Sequence, residues 1–273
     1  MKKRLINGPY LAWMLLFAIA PLFLVVWYAL TAESGGERNF TFAHLLRVFE
    51  PIYLRVIWRS LRLALLSTLL CFLIGYPVAL ILTSRPFRPR AILVVLVVLP
   101  MWMNFLARTY AWLTLLEKNG LINAILSFLR LPPVDILYTD AAVVLGMVYN
   151  FLPFMVLPIY SVLFKIDRTL IEAAEDLGAT PLTTFRRVIF PQSLAGVLSG
   201  VVMVFMPAVT TFVISRLLGG GQYTLIGNLI EQQFLTTYDW GFGSALSLFL
   251  MALLIVTGGI LMRSRGDEEG GLW

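Results

Sequence analysis

The sequence predicts an all-α integral membrane protein with six transmembrane helices, and three observations carry that reading. The 273-residue chain is 59% hydrophobic and only 13% charged, with a mean hydropathy of +0.86, far from the composition of a domain that needs a polar surface. Six uncharged runs divide it: Leu5 to Ala32, Leu63 to Ser84, Ala91 to Ala107, Ala141 to Phe164, Val188 to Ser215 and Trp240 to Met262. Between the fourth and fifth lies a polar segment with helix-start and helix-stop signals of its own. A hydrocarbon core about 30 Å thick takes roughly 20 apolar residues in helix, and lipid offers no water to satisfy any other backbone conformation. The runs therefore become spans at about 9–32, 60–84, 91–112, 141–164, 192–215 and 240–262 of one transmembrane domain, 1–262, followed by a cytoplasmic tail at 263–273 that is expected to be disordered.

Each span has its own signals. The first follows Lys2, Lys3 and Arg4, as a secretory signal would, but a signal core is about 7–15 residues and this run is far longer, so a retained helix is expected. The third is the shortest, and Arg108 interrupts an apolar pattern that resumes through Leu116; either the helix outruns the bilayer, or Arg108 snorkels or faces a cavity. Pro21, Pro77, Pro100, Pro153, Pro158 and Pro207 fall inside runs, where proline either kinks a helix or is tolerated without further duty. Loops containing Lys2, Lys3, Arg4, Arg85, Arg88, Arg90, Lys165, Arg168, Arg186, Arg187, Arg263 and Arg265 hold twelve of the 21 Lys and Arg, which places both termini in the cytoplasm. The same bias accounts for the net charge of +6, so no nucleic-acid partner is implied.

Several chemistries find no support. Cys71 is the only cysteine and His44 the only histidine, so neither a disulfide nor a metal site is expected. The glycine-rich stretch Leu217 to Gly227 lacks the lysine of a phosphate-binding loop. A nucleophile–base pair or carboxylate pair for catalysis is missing as well, and the chain reads as a non-enzyme.

The polar segment, 165–191, is the most informative part. Thr169 with Glu172 three residues on forms a capping box, so a helix is predicted from Leu170 with Leu170, Ile171, Ala174 and Leu177 on its apolar face and Glu172, Glu175 and Asp176 opposite. Gly178 suits the left-handed position that ends a helix. Thr180 then caps, and Pro181 opens, a second helix carrying Arg186 and Arg187 and running up to Pro191. By itself this is compatible with a solvated connector whose charges suit the helix dipole.

The same residues resemble the EAA loop of permease subunits of binding-protein-dependent ABC importers, whose pattern is E-A-A, three residues, G, nine residues, I, one residue, L-P. Glu172, Ala173, Ala174, Gly178 and Pro191 match at that spacing, with Val188 and Phe190 in place of Ile and Leu. The resemblance extends over essentially the whole chain. The segments Leu99 to Trp112, Tyr149 to Leu163, Glu172 to Thr180 and Ile226 to Leu235 are similar to the spermidine/putrescine permeases of the PotB type. It implies the type I ABC importer permease fold, with Glu172 to Pro191 as a coupling helix docked in a groove of a cytoplasmic ATPase and Glu172 facing a basic side chain there. The implied partners are two cytoplasmic ATPase subunits, a second homologous permease of the PotC type, a periplasmic substrate-binding protein and the polyamine. No cofactor belongs to this chain; ATP and Mg sit on the ATPase. Glu172 as helix cap and Glu172 as docking residue compete for one carboxylate.

A polyamine path should offer aromatic faces and acceptors to ammonium groups. Within the spans the candidates are Trp102, Asn104, Tyr110, Tyr149, Asn150, Tyr160, Thr210 and Thr211. No Asp or Glu lies inside the six runs, so acidic attraction is expected at the outer mouth from Glu117, Asp135, Asp140, Glu231 and Asp239. Interfacial belts explain Trp58, Trp112 and Trp240 as well as ligand contact does, and Asn104 and Asn150 also suit interhelical hydrogen bonds. Related importers for other small organic solutes share parts of these segments. An ion-coupled secondary transporter is the rival of another class, and the absence of any Asp or Glu in the spans counts against it.

Overall fold

The computed structural model describes residues 13–34, 37–83, 90–221 and 224–269. Lys2, Lys3, Arg4, Arg85 and Arg88, which contribute to the expected orientation, lie outside them, as do the last four residues of the expected tail. In chain order the elements are α1 (Leu15–Ala29), the hairpin β1 (Thr31–Ser34) and β2 (Glu37–Phe40), α2 (Ala43–Arg47), α3 (Pro51–Thr83), α4 (Arg90–Val98), α5 (Phe105–Leu116), α6 (Leu121–Phe128), α7 (Asp140–Leu163), α8 (Arg168–Asp176), α9 (Pro181–Thr210), α10 (Val213–Leu218), α11 (Ile226–Leu235) and α12 (Trp240–Glu269). Among the described residues four helices, α3, α7, α9 and the stretch Trp240–Ile260 of α12, are long and apolar enough to cross a membrane; a bent pair brings the number to five, and α1 is a shorter apolar helix.

The helices depart from the uncharged runs in instructive places. The expected third span, 91–112, is two helices bent by 93°. Pro100 has no N–H to give, the chain tightens into a 3-10 turn at Leu99–Trp102, and Asn104 turns extended and caps α5, its side-chain oxygen accepting from the N–H of Leu106 at 2.8 Å and of Ala107 at 3.2 Å. α3 starts at Pro51, well before the apolar run, because Arg55, Arg59 and Arg62 occupy a polar end that the helix tolerates outside lipid. The fifth span stops short of Ser215: α9 ends at Thr210, Thr211 is extended, and α10 follows. α12 continues past Met262 to Glu269, so most of the expected disordered tail is helical.

The chain forms two compact units: residues 1–58 with 225–257, and residues 59–224 with 258–273. In the first, the antiparallel hairpin pairs Thr31 with Phe40 and Glu33 with Arg38. Phe242 is fully buried; the Tyr53 ring lies 4.6 Å away and the Arg47 guanidinium 4.2 Å over its face. Asp239 completes this cluster, accepting from the Phe242 N–H at 3.0 Å and from Arg47 Nη1 at 2.9 Å. Burial disfavours the charge on Arg47, but the Tyr53 hydroxyl and the Asp239 carboxylate outweigh it and hold its pKa above the usual value.

The core of the second unit is the pair α7 and α9. Met147, Met155 and Ile159 are fully buried on α7. On α9 a Cβ at Gly196 would come within 2.9 Å of the Pro158 carbonyl, and one at Gly200 within 2.7 Å of the Met155 sulfur. Small residues thus let the two helices approach to backbone contact, the packing device of helices that have no hydrophobic drive to associate in lipid. The segment joining them is the polar loop.

Candidate functional site

Asp167, not Thr169, starts α8. Its carboxylate accepts the Thr169 N–H at 3.0 Å and the helix begins at Arg168. The expected capping box fails because a better N-cap stands two residues earlier, which already places Thr169 inside the first turn. Helix capping therefore falls to Asp167, and Glu172 lies mid-helix. The other end follows expectation: Gly178 is left-handed at φ +80°, its N–H donates to the Glu175 carbonyl at 2.8 Å, and the Ala179 N–H donates to the Ala174 carbonyl at 3.0 Å. That pair of bonds closes a helix end whose carbonyls would otherwise face nothing. Thr180 caps the next helix by accepting the Thr183 N–H, and Pro181 is its first residue.

Pro191 does not end that helix. Phe185–Ile189 form a π-type turn in which the Phe190 N–H reaches back to the Phe185 carbonyl, and the helix passes through Pro191 to Thr210. A ladder already shifted by one residue accommodates a residue without an N–H. The second half of the loop is consequently the lower end of α9 itself.

The faces of α8 also differ from the periodicity reading. Ile171 and Ala174 are half-buried, but Leu177 is 89% exposed, Leu170 47% and, beyond the turn, Leu182 65%. Ile171, Glu172 and Glu175 instead line a cleft of about 750 Å³ together with Leu80, Thr83 and Phe164. Leu170, Leu177 and Leu182 are thus exposed beside polar residues of the loop.

The eight candidate pathway residues do not converge on one surface. Trp102, 84% exposed, Asn104 and Tyr110 are all exposed along the bent third span. Asn150 is buried inside the chain and donates to the Gly146 carbonyl one turn back, at 2.8 Å, and Thr211 is buried at the break after α9. Tyr149 stands edge-on to Trp112 at 5.3 Å, Tyr160 packs on Phe164 at 5.8 Å, and Thr210 bonds back to the Met206 carbonyl at 3.1 Å. Arg108 does not snorkel: it is 7% exposed, and its Nε and Nη1 make no hydrogen bond among the described residues.

Asp140, Asp239 and Asp135 hold cations of the chain itself, which hydrophobic periodicity did not foretell. Asp140, in the first turn of α7, accepts from Arg59 Nε at 3.2 Å and Arg62 Nη2 at 3.0 Å. Asp239 holds Arg47, and Asp135 pairs with Lys118 at 3.3 Å. Glu117 follows the end of α5 and is exposed; Glu231 is half-buried on α11. The spacing of Arg59 and Arg62, one turn apart at the polar end of a long helix, was the available signal for the Asp140 clamp.

Comparison with known proteins agrees with this architecture. Residues 72–264 match the family described as binding-protein-dependent transport system inner membrane component. The chain is 39% identical over 247 residues to the spermidine/putrescine transport system permease protein PotB of Escherichia coli (strain K12), covering 89% of this chain and 90% of that protein. It is also 39% identical over 254 residues to PotB of Haemophilus influenzae, covering 89% and 88%. Its fold is that of a chain in the crystal structure of a bacterial ABC transporter that imports the acidic polysaccharide alginate, with a TM-score of 0.81, 19% identity and coverage of 99% of this chain and 96% of that one. With its membrane-crossing helices, its capped loop between α7 and α9 and a family match over most of its length, the chain belongs to the inner membrane permease components of binding-protein-dependent transport systems.

Proposed function

We propose that this chain forms one of two homologous membrane halves of an ATP-driven importer that moves spermidine and putrescine from periplasm to cytoplasm. The observation that carries the substrate is the 39% identity to PotB over nearly the whole of both chains. α1, α3, the bent α4–α5 pair, α7, α9 and α12 serve as six crossings of a type I importer permease, with both termini and the 165–191 loop in the cytoplasm. A periplasmic receptor delivers cargo to the outer face, and the second permease completes the path.

Coupling is mechanical. Two cytoplasmic ATPase subunits hold ATP and Mg, and one of them seats α8 through Leu170, Ala173, Leu177 and Leu182. The capped Gly178 turn and the unbroken helix through Pro191 make α8 a lever rooted in α9, so closure of the ATPases on ATP shifts α7 and α9 together and redirects access. The support for this reading is the exposed apolar surface on a rigid, doubly capped loop.

Uptake competition in vesicles containing the full complex tests the substrate. Labelled putrescine should enter in an ATP-dependent manner and be competed by spermidine, not by unrelated organic solutes. Indifference to both polyamines removes the substrate assignment.

A further inference from the structure

A second pocket lies in the first unit, lined by none of the candidate pathway residues of the spans. It has a volume of about 440 Å³ and is lined by Tyr28, Glu33, Arg38, His44, Tyr238, Asp239 and Trp240, with Thr31, Ala32 and Gly241 between them. That size is within the range of small-ligand sites, about 300–1,000 Å³. Its chemistry is that of a box for an organic cation, with three aromatic side chains and two carboxylates. The Tyr28 and Trp240 rings meet at 5.8 Å.

A cation already occupies one aromatic face. The Arg38 guanidinium sits 5.2 Å from the centre of the Tyr28 ring, brought there by the hairpin, where Arg38 stands directly across from Glu33. Arg47 plays the corresponding part behind Asp239, to which it donates at 2.9 Å, and over Phe242. Arg47 thus pairs with Asp239 from behind the pocket, while Arg38 stands across the hairpin from Glu33. Only Arg38 can be exchanged: Arg47 is tied at once to Asp239, Tyr53 and Phe242, whereas Arg38 is exposed on a short hairpin.

We propose that this pocket is a receiving site for alkylammonium groups, in which Arg38 is a resident stand-in that an arriving amine displaces from Tyr28. The amine takes the Tyr28 face and the Glu33 carboxylate, while Trp240, Tyr238 and Asp239 receive the aliphatic body and the second ammonium. The assignment rests on the polyamine reading above and adds a place and a gatekeeper to it. Displacement keeps the site weak, which suits a station that must pass its cargo on.

The test is equilibrium binding of radiolabelled putrescine to the permease–ATPase complex in nanodiscs, without the receptor. Arg38→Ala should tighten binding by about three- to tenfold, the worth of one competing cation–π contact, and Tyr28→Leu or Trp240→Leu should weaken it by about as much. Tyr28→Phe, which keeps the ring face, should bind like the wild type and controls for folding. The inference is overturned if the wild-type complex shows no saturable binding, if Arg38→Ala leaves affinity unchanged or lowers it, or if Tyr28→Leu binds as the wild type does, as an interfacial belt residue would. These failures differ from failure of the substrate reading, in which the wild-type complex supplied with its receptor takes up no polyamine at all.

Discussion

The hydroxyls of Tyr76 and Ser193 lie 2.8 Å apart, buried between α3 and α9. Ser193 also donates to the Phe190 carbonyl at 2.8 Å, and the Tyr76 ring stands against Phe185 and Phe190, each at 5.8 Å. Tyr76 therefore pins α3 to the turns through which the coupling loop enters its span. Tyr76→Phe keeps the ring contacts and leaves Ser193 its carbonyl partner, so it should cost about 0.5–1.5 kcal/mol, read as a lower unfolding temperature of the purified protein. A larger loss with Tyr76→Leu would show that the rings hold more than the hydroxyl does.

Gly178 occupies a left-handed conformation, and a Cβ there would meet nothing within 4 Å. Replacement is opposed by the backbone and not by space, at about 1–2 kcal/mol. Gly178→Leu should remain in the membrane yet hydrolyse ATP without matching transport, because the angle of α8 is lost; Glu172→Lys should behave alike if Glu172 makes the proposed contact with the ATPase. Normal uptake per ATP in vesicles carrying either variant would end the lever interpretation.

Leu177 is the most exposed large apolar side chain of that loop, and in the permease alone it has little packing to lose. Leu177→Asp should leave thermal stability within about 0.5 kcal/mol of the wild type while the ATPase no longer co-purifies. Retention of a full complement of ATPase would place the docking surface elsewhere.

Asp140 joins the start of α7 to two arginines of α3. All three groups are partly solvated, so Asp140→Asn should cost no more than about 1 kcal/mol, and the difference from wild type should shrink at high salt. A difference that persisted in 1 M salt would point to a buried role for the carboxylate.

Gly200 leaves room for Met155 and for nothing else. Gly200→Val should force α7 and α9 apart at about 1–3 kcal/mol, detectable as reduced unfolding temperature and yield. Wild-type stability would mean that the two helices are not locked at this point.

Membrane residence was legible because runs of uncharged residues are a one-dimensional property. The loop was legible for a related reason: Gly178, Thr180 and Pro181 act through their own backbone geometry, and those local rules hold. Where two local rules competed, the sequence misled. Asp167 outbid Thr169 for the cap, and Pro191 was absorbed by a π-type turn that no spacing announces. The 93° bend near Asn104 was hidden because Pro100 and a capping Asn are each tolerated in straight spans, and their joint effect depends on what packs beside them.

By itself, then, the order of residues determined that this chain lives in lipid, where its polar loop falls and how that loop turns at Gly178 to Pro181, since each follows from hydropathy and from dihedral preferences a few residues wide. The tertiary structure alone decided which side of α8 points outward, which acids are already neutralised by arginines of the chain, and that Arg38 rests on Tyr28. Those relations join different elements of the chain and are fixed by packing, which hydrophobic periodicity does not record.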